Sequence, residues 1–263
     1  MSEQPKIVTG LGKAELHRIL VRGYDLTEEI VGKITFSQMT FLMLTGRMPT
    51  AGQTRMIDAL LTILVEHGMV ASVIAARLTY HTAPEAIQGA VAAAILGAGS
   101  VHLGSSEWSA QMLQEALPPG TNGTDLEAIA AAVVKRYEEK KQRIPGIGHR
   151  THAEGDPRAD RLFQIARETQ VYGRYCDLLQ RIAHAAESRH GRRLPVNVTG
   201  AIAAIASDMG LPWAISKAFA LIGRTLGALA HIGEEMRRPM ARNIDAAIKS
   251  SLDYRTDPET KHE

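Results

Sequence analysis

The segment from residue 144 to 160 combines a glycine-rich loop, a histidine and an arginine, and these side chains can do acid–base chemistry on an anionic substrate. Gly146 and Gly148 lead directly into His149. Glycine lets a backbone adopt positive φ and approach a ligand closely. An Asp-Pro pair before Arg158 is a typical helix start, an N-cap followed by proline in the first helical position. The spacing therefore predicts an active-site loop in which His149 and Arg158 face one pocket.

This prediction depends on the whole segment, since a glycine pair before a capped helix is more often structural than catalytic. His149, His152, Glu154 and Asp156 are also residue types that bind metals. They lie on a glycine-rich segment rather than on one face of a helix, and the acid–base chemistry needs no metal. We therefore predict that the site binds no metal.

The complete string resembles the Pro-Gly-x-Gly-His and Asp-Pro-Arg signature of the citrate synthase family, which includes the citryl-CoA lyases and the lyase module of ATP-citrate lyase. Other segments resemble further motifs of that family, in the same order along the chain. These segments are Arg22-Gly23-Tyr24-Asp25, residues 41–49, Glu66-His67-Gly68, residues 99–107, residues 195–200, residues 222–231 and Arg238-Pro239. The resemblance covers the chain from about residue 20 to 240 and is closest to the short, lyase-like branch.

The resemblance implies two catalytic histidines. His102 would donate a hydrogen bond to the thioester oxygen of an acetyl-CoA enolate, and His149 would exchange a proton with the C2 oxygen of oxaloacetate. An isolated histidine is more often structural, but matching motifs around both histidines favour catalysis. The family's third catalytic residue is an aspartate, where this chain has Thr199. A threonine hydroxyl does not ionise near neutral pH, so Thr199 can hold a water molecule but cannot act as a carboxylate base.

The resemblance also implies which residues bind the two parts of the substrate. Arg158, Arg224 and Arg238 would bind carboxylates, since a guanidinium group bonds a carboxylate at two points, and His67 would add a further donor. In the family, the arginine that corresponds to Arg238 comes from the neighbouring subunit. The alternative is that Arg238, which lies near a helix end, is simply an exposed residue in contact with solvent. The loop residues expected to contact CoA are Ile144, Gly146, Ile147 and Gly148.

Helical periodicity dominates the sequence. Met56, Ile57, Leu60 and Leu64 form one apolar face of a helix that Thr50 would cap. Further helices are predicted at residues 37–45, 71–79, 84–98, 107–116, 125–142, 157–171, 175–190, 196–209 and 213–237. The chain is therefore predicted to be all-α. The resemblance implies a citrate synthase-like homodimer, with a large helical domain (residues 1–104 and 224–263) and a small one (residues 105–223) that closes over the active site.

The composition is that of an ordinary globular protein. The chain has 263 residues, 45% of them hydrophobic, and a formal net charge of +2. That charge is too small for a general nucleic-acid binder, although a pI of about 8.7 suits an anionic ligand. Cys176 is the single cysteine, so no intramolecular disulfide can form. We expect a cytoplasmic protein, without a signal peptide, membrane span or nucleic-acid partner.

The expected function is that of a citryl-CoA lyase, which cleaves citryl-CoA, or a related 3-hydroxy-acyl-CoA, to acetyl-CoA and oxaloacetate. Loss of the aspartate at position 199 affects condensation more than cleavage, because condensation must remove a proton from a weak carbon acid. A citrate or 2-methylcitrate synthase is the alternative. A non-catalytic CoA-binding homologue is a second one. We expect no cofactor beyond CoA as part of the substrate.

Overall fold

The computed structural model describes residues 7–121, 123, 125–148 and 154–255, and at residues 100–104 it describes the backbone only. Those ranges contain three short strands and eleven α-helices. The strands are β1 (Gly12–Ala14), β2 (Ile19–Val21) and β3 (Tyr24–Asp25). The helices are α1 (Phe36–Thr45), α2 (Ala51–Leu64), α3 (Ala71–Thr82), α4 (Ile87–Gly97), α5 (Ser100–Ala116), α6 (Leu126–Glu139), α7 (Pro157–Glu168), α8 (Arg174–His190), α9 (Val198–Asp208), α10 (Ala218–Arg237) and α11 (Ala241–Ser251). The prediction of an all-α protein is confirmed.

Several helices begin at the caps that the sequence predicts. Thr50 forms a capping box before α2: its Oγ1 accepts a hydrogen bond from the Gln53 backbone N–H at 3.1 Å, and Gln53 Oε1 accepts from the Thr50 N–H at 3.0 Å. Asp156 caps α7 by accepting from the Arg158 N–H at 3.1 Å, and Pro157 is the first helical residue. These hydrogen bonds join residues only two or three positions apart, so the capping residues can be recognised from the sequence.

The antiparallel sheet β1-β2-β3 was not predicted. Its strands are two or three residues long, too short for alternation to be detected. Arg22 and Gly23, at φ of 51° and 88°, connect β2 to β3. Positive φ at both central residues defines the type I′ turn typical of a two-residue hairpin. The Arg22-Gly23 motif therefore forms a hairpin turn.

The largest departures from the predicted helices lie in three places. α5 begins at Ser100 rather than at residue 107; the glycine and serines at its start have a weak helix propensity, so the sequence does not indicate these first turns. The helix predicted at 213–237 is divided into a 3₁₀ turn (Trp213–Ile215) and α10. α11 was missed altogether.

The chain divides into two compact units. The larger unit comprises Met1–Ile63 and Ser100–Ala220. Its core is α9, in which nine of eleven residues are buried; α5, α7 and α8 pack against it, and α6 packs against α8. The four alanines between Ala201 and Ala206 let the neighbouring helices approach closely. The position of α9 is therefore fixed by the three helices that pack against it.

The smaller unit comprises Leu64–Gly99 and Leu221–Glu263. α3 packs against α4, and α11 contacts α3. Its apolar cluster includes Ala76, Ala90, Ala94, Ala228 and Ile232. The large and small domains predicted above are a different division, because they are defined by how they move when the active site closes. The two compact units are defined by contacts within one conformation. The predicted domain division therefore stays a prediction.

Candidate active site

The loop from residue 144 to 148 lies against the segment that leads into α9. The Gly148 N–H donates to the Pro195 carbonyl at 2.7 Å, and the Asn197 N–H donates to the Gly146 carbonyl at 3.0 Å. Between these bonds, Ile147 and Val196 form an isolated antiparallel bridge. The backbone leading to His149 is therefore held by residues almost fifty positions away.

Two glycines allow this close approach. Gly146 has a φ of 90°, in the left-handed region that side chains disfavour. A Cβ atom on Gly200 would lie 2.8 Å from Gly146 Cα and 2.9 Å from its carbonyl carbon, distances that real Cβ atoms do not reach. A Cβ atom on Gly146 would likewise collide with the side chain of Ser109, a buried residue of α5. The loop, α5 and α9 thus meet at a point with no room for a side chain.

Asn197 joins the loop to Thr199. Its Nδ2 donates to the Gly148 carbonyl at 2.9 Å. Its Oδ1 accepts from the Gly200 N–H at 3.1 Å, which caps α9, and from Thr199 Oγ1 at 2.7 Å. The threonine therefore uses its hydroxyl hydrogen on Asn197, and only the lone pairs of its oxygen remain to bind a water molecule.

Asp156 connects the start of α7 to the start of α9. Its carboxylate is buried and accepts from Arg158 Nε and Nη2, both at 3.0 Å, and from the Val198 N–H at 2.9 Å. Burial by itself would favour the neutral acid. The hydrogen bonds from the Arg158 side chain and from the Val198 and Arg158 backbones outweigh burial and hold the pKa of Asp156 below its ordinary value. This carboxylate therefore fixes the direction of the Arg158 guanidinium.

Asp156→Asn is expected to destabilise the protein by about 2 kcal/mol at pH 7. Asparagine can still cap α7, but it lacks the negative charge that binds Arg158. It also places an amide donor against the Val198 N–H, which is itself a donor. Because the pKa of Asp156 is lowered on folding, the ionised group contributes stability above its unfolded pKa. That contribution is lost as the pH falls through the folded pKa. Urea denaturation at pH 7 and below pH 4 measures the difference, which should shrink in acid.

Asp125→Asn is the matched control for this prediction, because Asp125 caps α6 in the same way at an exposed helix end. We expect it to cost about 0.5 kcal/mol. A difference between wild type and Asp156→Asn that stays constant down to pH 3 would contradict the proposed role of the ionised carboxylate.

The structure describes the side chain of neither predicted catalytic histidine. His102 lies in the first turn of α5, where the backbone alone is described, and His149 lies outside the described residues, as does His152 of the metal alternative. Thr199 and Arg158, by contrast, are brought to the same end of α9 through Asn197 and Asp156. Their predicted roles stay predictions.

The other predicted substrate-binding residues belong to the smaller unit. His67 is exposed in the connection between α2 and α3, Arg224 is half-buried on α10, and Arg238 is exposed just after that helix. Gly227, one turn after Arg224, packs against the backbone of Val65, where a Cβ atom on the glycine would lie 3.2 Å from the valine carbonyl carbon. The His67 connection is thereby held against α10.

A cleft of about 620 Å³ opens beside the glycine loop in the larger unit. Three of the four residues predicted to bind CoA, Ile144, Ile147 and Gly148, line it, whereas Gly146 is buried at the contact with Gly200. The charged and titratable residues that line the cleft are Tyr137, Glu138, Lys141, Arg143, His190, Arg192 and Arg193. This lining contains four permanent cations and one carboxylate, so the cleft favours an anionic ligand.

The sequence interpretation missed the residues that organise this site. Asn197 was named only as part of a motif. Asp156 was named as a helix cap, as part of the family signature and as a residue type that binds metals, but not as a residue that orients Arg158. The available signal was a polar residue that caps a helix beside a predicted catalytic position. Within the described ranges, no three His, Cys, Asp or Glu residues cluster as metal ligands, and none of the helices is long and apolar enough to cross a membrane.

Residues 35–244 match the family model described as the C-terminal domain of citrate synthase. The chain therefore belongs to the citrate synthase family, as predicted. This family accounts for the helical fold.

Among solved structures, citryl-CoA lyase from Hydrogenobacter thermophilus is similar to this chain with 36% identity and a TM-score of 0.85, covering 96% of this chain and 95% of that one. The ATP citrate lyase from Methanothrix soehngenii, in complex with citrate and coenzyme A, is 17% identical with a TM-score of 0.75 over 100% of this chain and 44% of that one, a likeness of fold alone. Citrate synthase 2 of Bacillus subtilis is 28% identical over 195 residues, which are 73% of this chain and 50% of that protein. The chain spans about half the length of the curated relatives it matches.

Proposed function

We propose that this chain is a citryl-CoA lyase-like enzyme that cleaves citryl-CoA, or a related 3-hydroxy-acyl-CoA, into acetyl-CoA and oxaloacetate. One observation carries the proposal: the similarity to the Hydrogenobacter thermophilus citryl-CoA lyase extends over nearly the full length of both chains. Thr199 in place of a carboxylate agrees with cleavage, because the demanding removal of a methyl proton belongs to the opposite direction.

The basic cleft is the proposed binding site for CoA. The Gly148 carbonyl and N–H are already bonded to Asn197 and Pro195, so the loop keeps one conformation at the cleft's wall. Lys141, Arg192 and Arg193 supply positive charge for the phosphates of the nucleotide. A ligand held there would lie beside the loop that leads to His149.

The proposed cleavage uses the two histidines in succession. His149 takes the proton of the citryl hydroxyl, whose oxygen becomes the keto oxygen of oxaloacetate. The bond from that carbon to the CH₂ next to the thioester then breaks, and its electron pair forms the thioester enolate. His102 donates a hydrogen bond to the enolate oxygen, and the charge is stabilised where it develops.

Thr199 is proposed to hold the water molecule that ends the reaction. Because its hydroxyl donates to Asn197, its oxygen accepts a hydrogen from the water. The second hydrogen of that water is directed away and protonates the enolate carbon, giving the methyl group of acetyl-CoA. Hydroxide released in this step takes up the proton that His149 removed.

Carboxylate recognition is proposed for Arg158, Arg224, Arg238 and His67. The strongest support concerns Arg158, whose guanidinium is oriented by a buried carboxylate through two hydrogen bonds. A side chain held in this way loses little further entropy when it binds a substrate.

A homodimer is proposed as the assembled form. Apolar side chains are exposed on two helices of the smaller unit: Leu96 on α4, and Leu226, Leu229 and Met236 on α10. On α10 they recur at intervals of three and seven residues, along one helical face. Burying this face against a second copy would remove it from water, and sedimentation velocity measures the resulting mass.

Two other functions are proposed as alternatives to citryl-CoA cleavage. The curated relatives are named citrate synthases, and a 2-methylcitrate synthase is also among them, which favours condensation as the alternative reaction. A CoA-binding homologue without catalysis is the second alternative, and the absence of a carboxylate at Thr199 is the observation on which it rests.

Cleavage of citryl-CoA by the purified protein in D₂O tests these functions. The lyase should give oxaloacetate and acetyl-CoA that carries one deuterium in its methyl group, as measured by mass spectrometry. Citrate plus free CoA would favour a synthase instead. Unchanged citryl-CoA together with tight CoA binding would support the non-catalytic homologue and contradict the lyase.

A pair of charge reversals tests the binding site in a separate titration with CoA. Arg193→Glu, in the cleft, should weaken CoA binding about tenfold by titration calorimetry. Arg161→Glu, on an exposed part of α7 outside the cleft, should leave it unchanged. Equal effects would contradict the cleft as the CoA site.

A further inference from the structure

The smaller unit contains a buried arginine that is held by side chains of α10. Arg77 of α3 has no exposed surface. Its Nη1 donates to Glu235 Oε2 at 3.0 Å, its Nε and Nη2 approach His231 Nδ1 at 3.2 and 2.9 Å, and Glu234 accepts a further bond. Glu235 also accepts from the N–H groups of Met240 and Ala241, at the start of α11. Arg77 therefore fixes the positions of His231 and Glu235.

These bonds determine the tautomer of His231. A guanidinium has no acceptor atoms, so Arg77 can only donate, and Nδ1 of the imidazole must carry a lone pair. The hydrogen of the neutral ring then lies on Nε2. That nitrogen is 2.9 Å from Glu66 Oε2, so His231 donates to the carboxylate.

Glu66 uses the same carboxylate to close the turn around His67. It accepts from the Gly68 N–H, and the His67 N–H also interacts with it. Burial favours the neutral acid, but these backbone donors and His231 together hold the pKa of Glu66 below its ordinary value. The backbone on both sides of His67 is thus bound to one ionised group.

We infer that His231 is a positioning residue that holds the His67 turn in its binding conformation through Glu66. This inference rests on the proposed function, in which His67 binds the oxaloacetate part of the substrate. Gly227 and His231 are one turn apart on α10: the glycine touches the backbone of Val65, and the histidine holds the next residue, Glu66. His67 is exposed and lies within the turn that Glu66 closes.

Two substitutions of His231 separate its two hydrogen bonds. The amide of His231→Asn occupies the place of Nδ1, where it can accept from Arg77, but it is too short to reach Glu66. The amide of His231→Gln reaches the position of Nε2 and can donate to Glu66. His184→Asn is the matched control, because His184 is exposed on α8 in the larger unit.

Hydrogen exchange and kinetics together test the inference. In His231→Asn, the amides of residues 67 and 68 should exchange at least tenfold faster by NMR. The KM for citryl-CoA should rise about tenfold, with kcat and the Kd for CoA alone within twofold, since a lost ground-state contact raises KM. His231→Gln should restore exchange and KM to within twofold of wild type, and the control should not differ from it.

A second variant covers the case in which His231→Asn does not fold. Glu66→Gln keeps an acceptor for Gly68 but places its amide donor against the donor of His231, and its side chain is half-exposed, so folding is preserved. It should produce the same two changes. Unaltered exchange at residues 67 and 68, or an unaltered KM, in either folded variant would overturn the inference. Failure of the proposed function is distinguished by the wild-type protein, which would then not cleave citryl-CoA at all.

Discussion

Gly200→Ala is expected to destabilise the protein by about 3 kcal/mol and to lower kcat about 100-fold. The added methyl group would press on the backbone of Gly146, at 2.8 Å from its Cα, and neither backbone can move without breaking the bonds that join the loop to α9. Overpacking of this kind costs 1–3 kcal/mol or more, and a misplacement of about 1 Å is enough for such a loss of rate. Chemical denaturation and single-turnover cleavage measure the two effects.

Gly89→Ala provides the control for this substitution. Gly89 lies inside α4, and a Cβ atom there would meet only the Ala86 side chain at 3.7 Å, an ordinary contact. Alanine is favoured over glycine in a helix, so this variant should gain about 0.5–1 kcal/mol. A loss below 1 kcal/mol for Gly200→Ala would show that the loop and α9 are not in backbone contact.

Asn197→Ala is expected to lower kcat/KM about 100-fold while reducing stability by only about 1–2 kcal/mol. The stability loss is that of an N-cap, because the Gly200 N–H loses its acceptor. The loss of activity is larger because two further bonds disappear. The Gly148 carbonyl loses its donor next to His149, and the Thr199 hydroxyl can rotate once Oδ1 is absent. Steady-state kinetics and thermal unfolding measure the two quantities separately.

Two other variants separate capping from positioning. Asp125→Ala removes the cap of α6 at an equal cost in stability and should leave kcat/KM within twofold. Asn197→Asp keeps the cap of α9 but has no donor for the Gly148 carbonyl, so it should lose activity while remaining stable. Full activity of Asn197→Asp would contradict the role of this bond in holding the loop.

The local features of the fold were predictable from the sequence. Thr50 and Asp156 cap their helices through bonds to residues two or three positions further on, and the apolar periodicity around Leu60 marks a buried helical face. The all-α class followed from helical periodicity, and the family followed from short motifs and their order. The hairpin at Arg22 could not be recognised, because its strands are only two or three residues long. The helix α11 was missed although its apolar residues recur at helical spacing, so that signal was available in the sequence.

By itself, the sequence determined which residues are chemically capable: the two histidines, the arginines, and a threonine where a carboxylate would be the base. Only the tertiary structure showed that Asn197 holds the Gly148 carbonyl, that Asp156 orients Arg158 while bonding to the Val198 N–H, and that His231 bonds to Glu66. Those long-range partners are 49, 42 and 165 positions apart in the chain. The type of a residue shows whether it can donate or accept a hydrogen bond, but it does not show which distant residue is its partner. That partner is determined by how the helices pack.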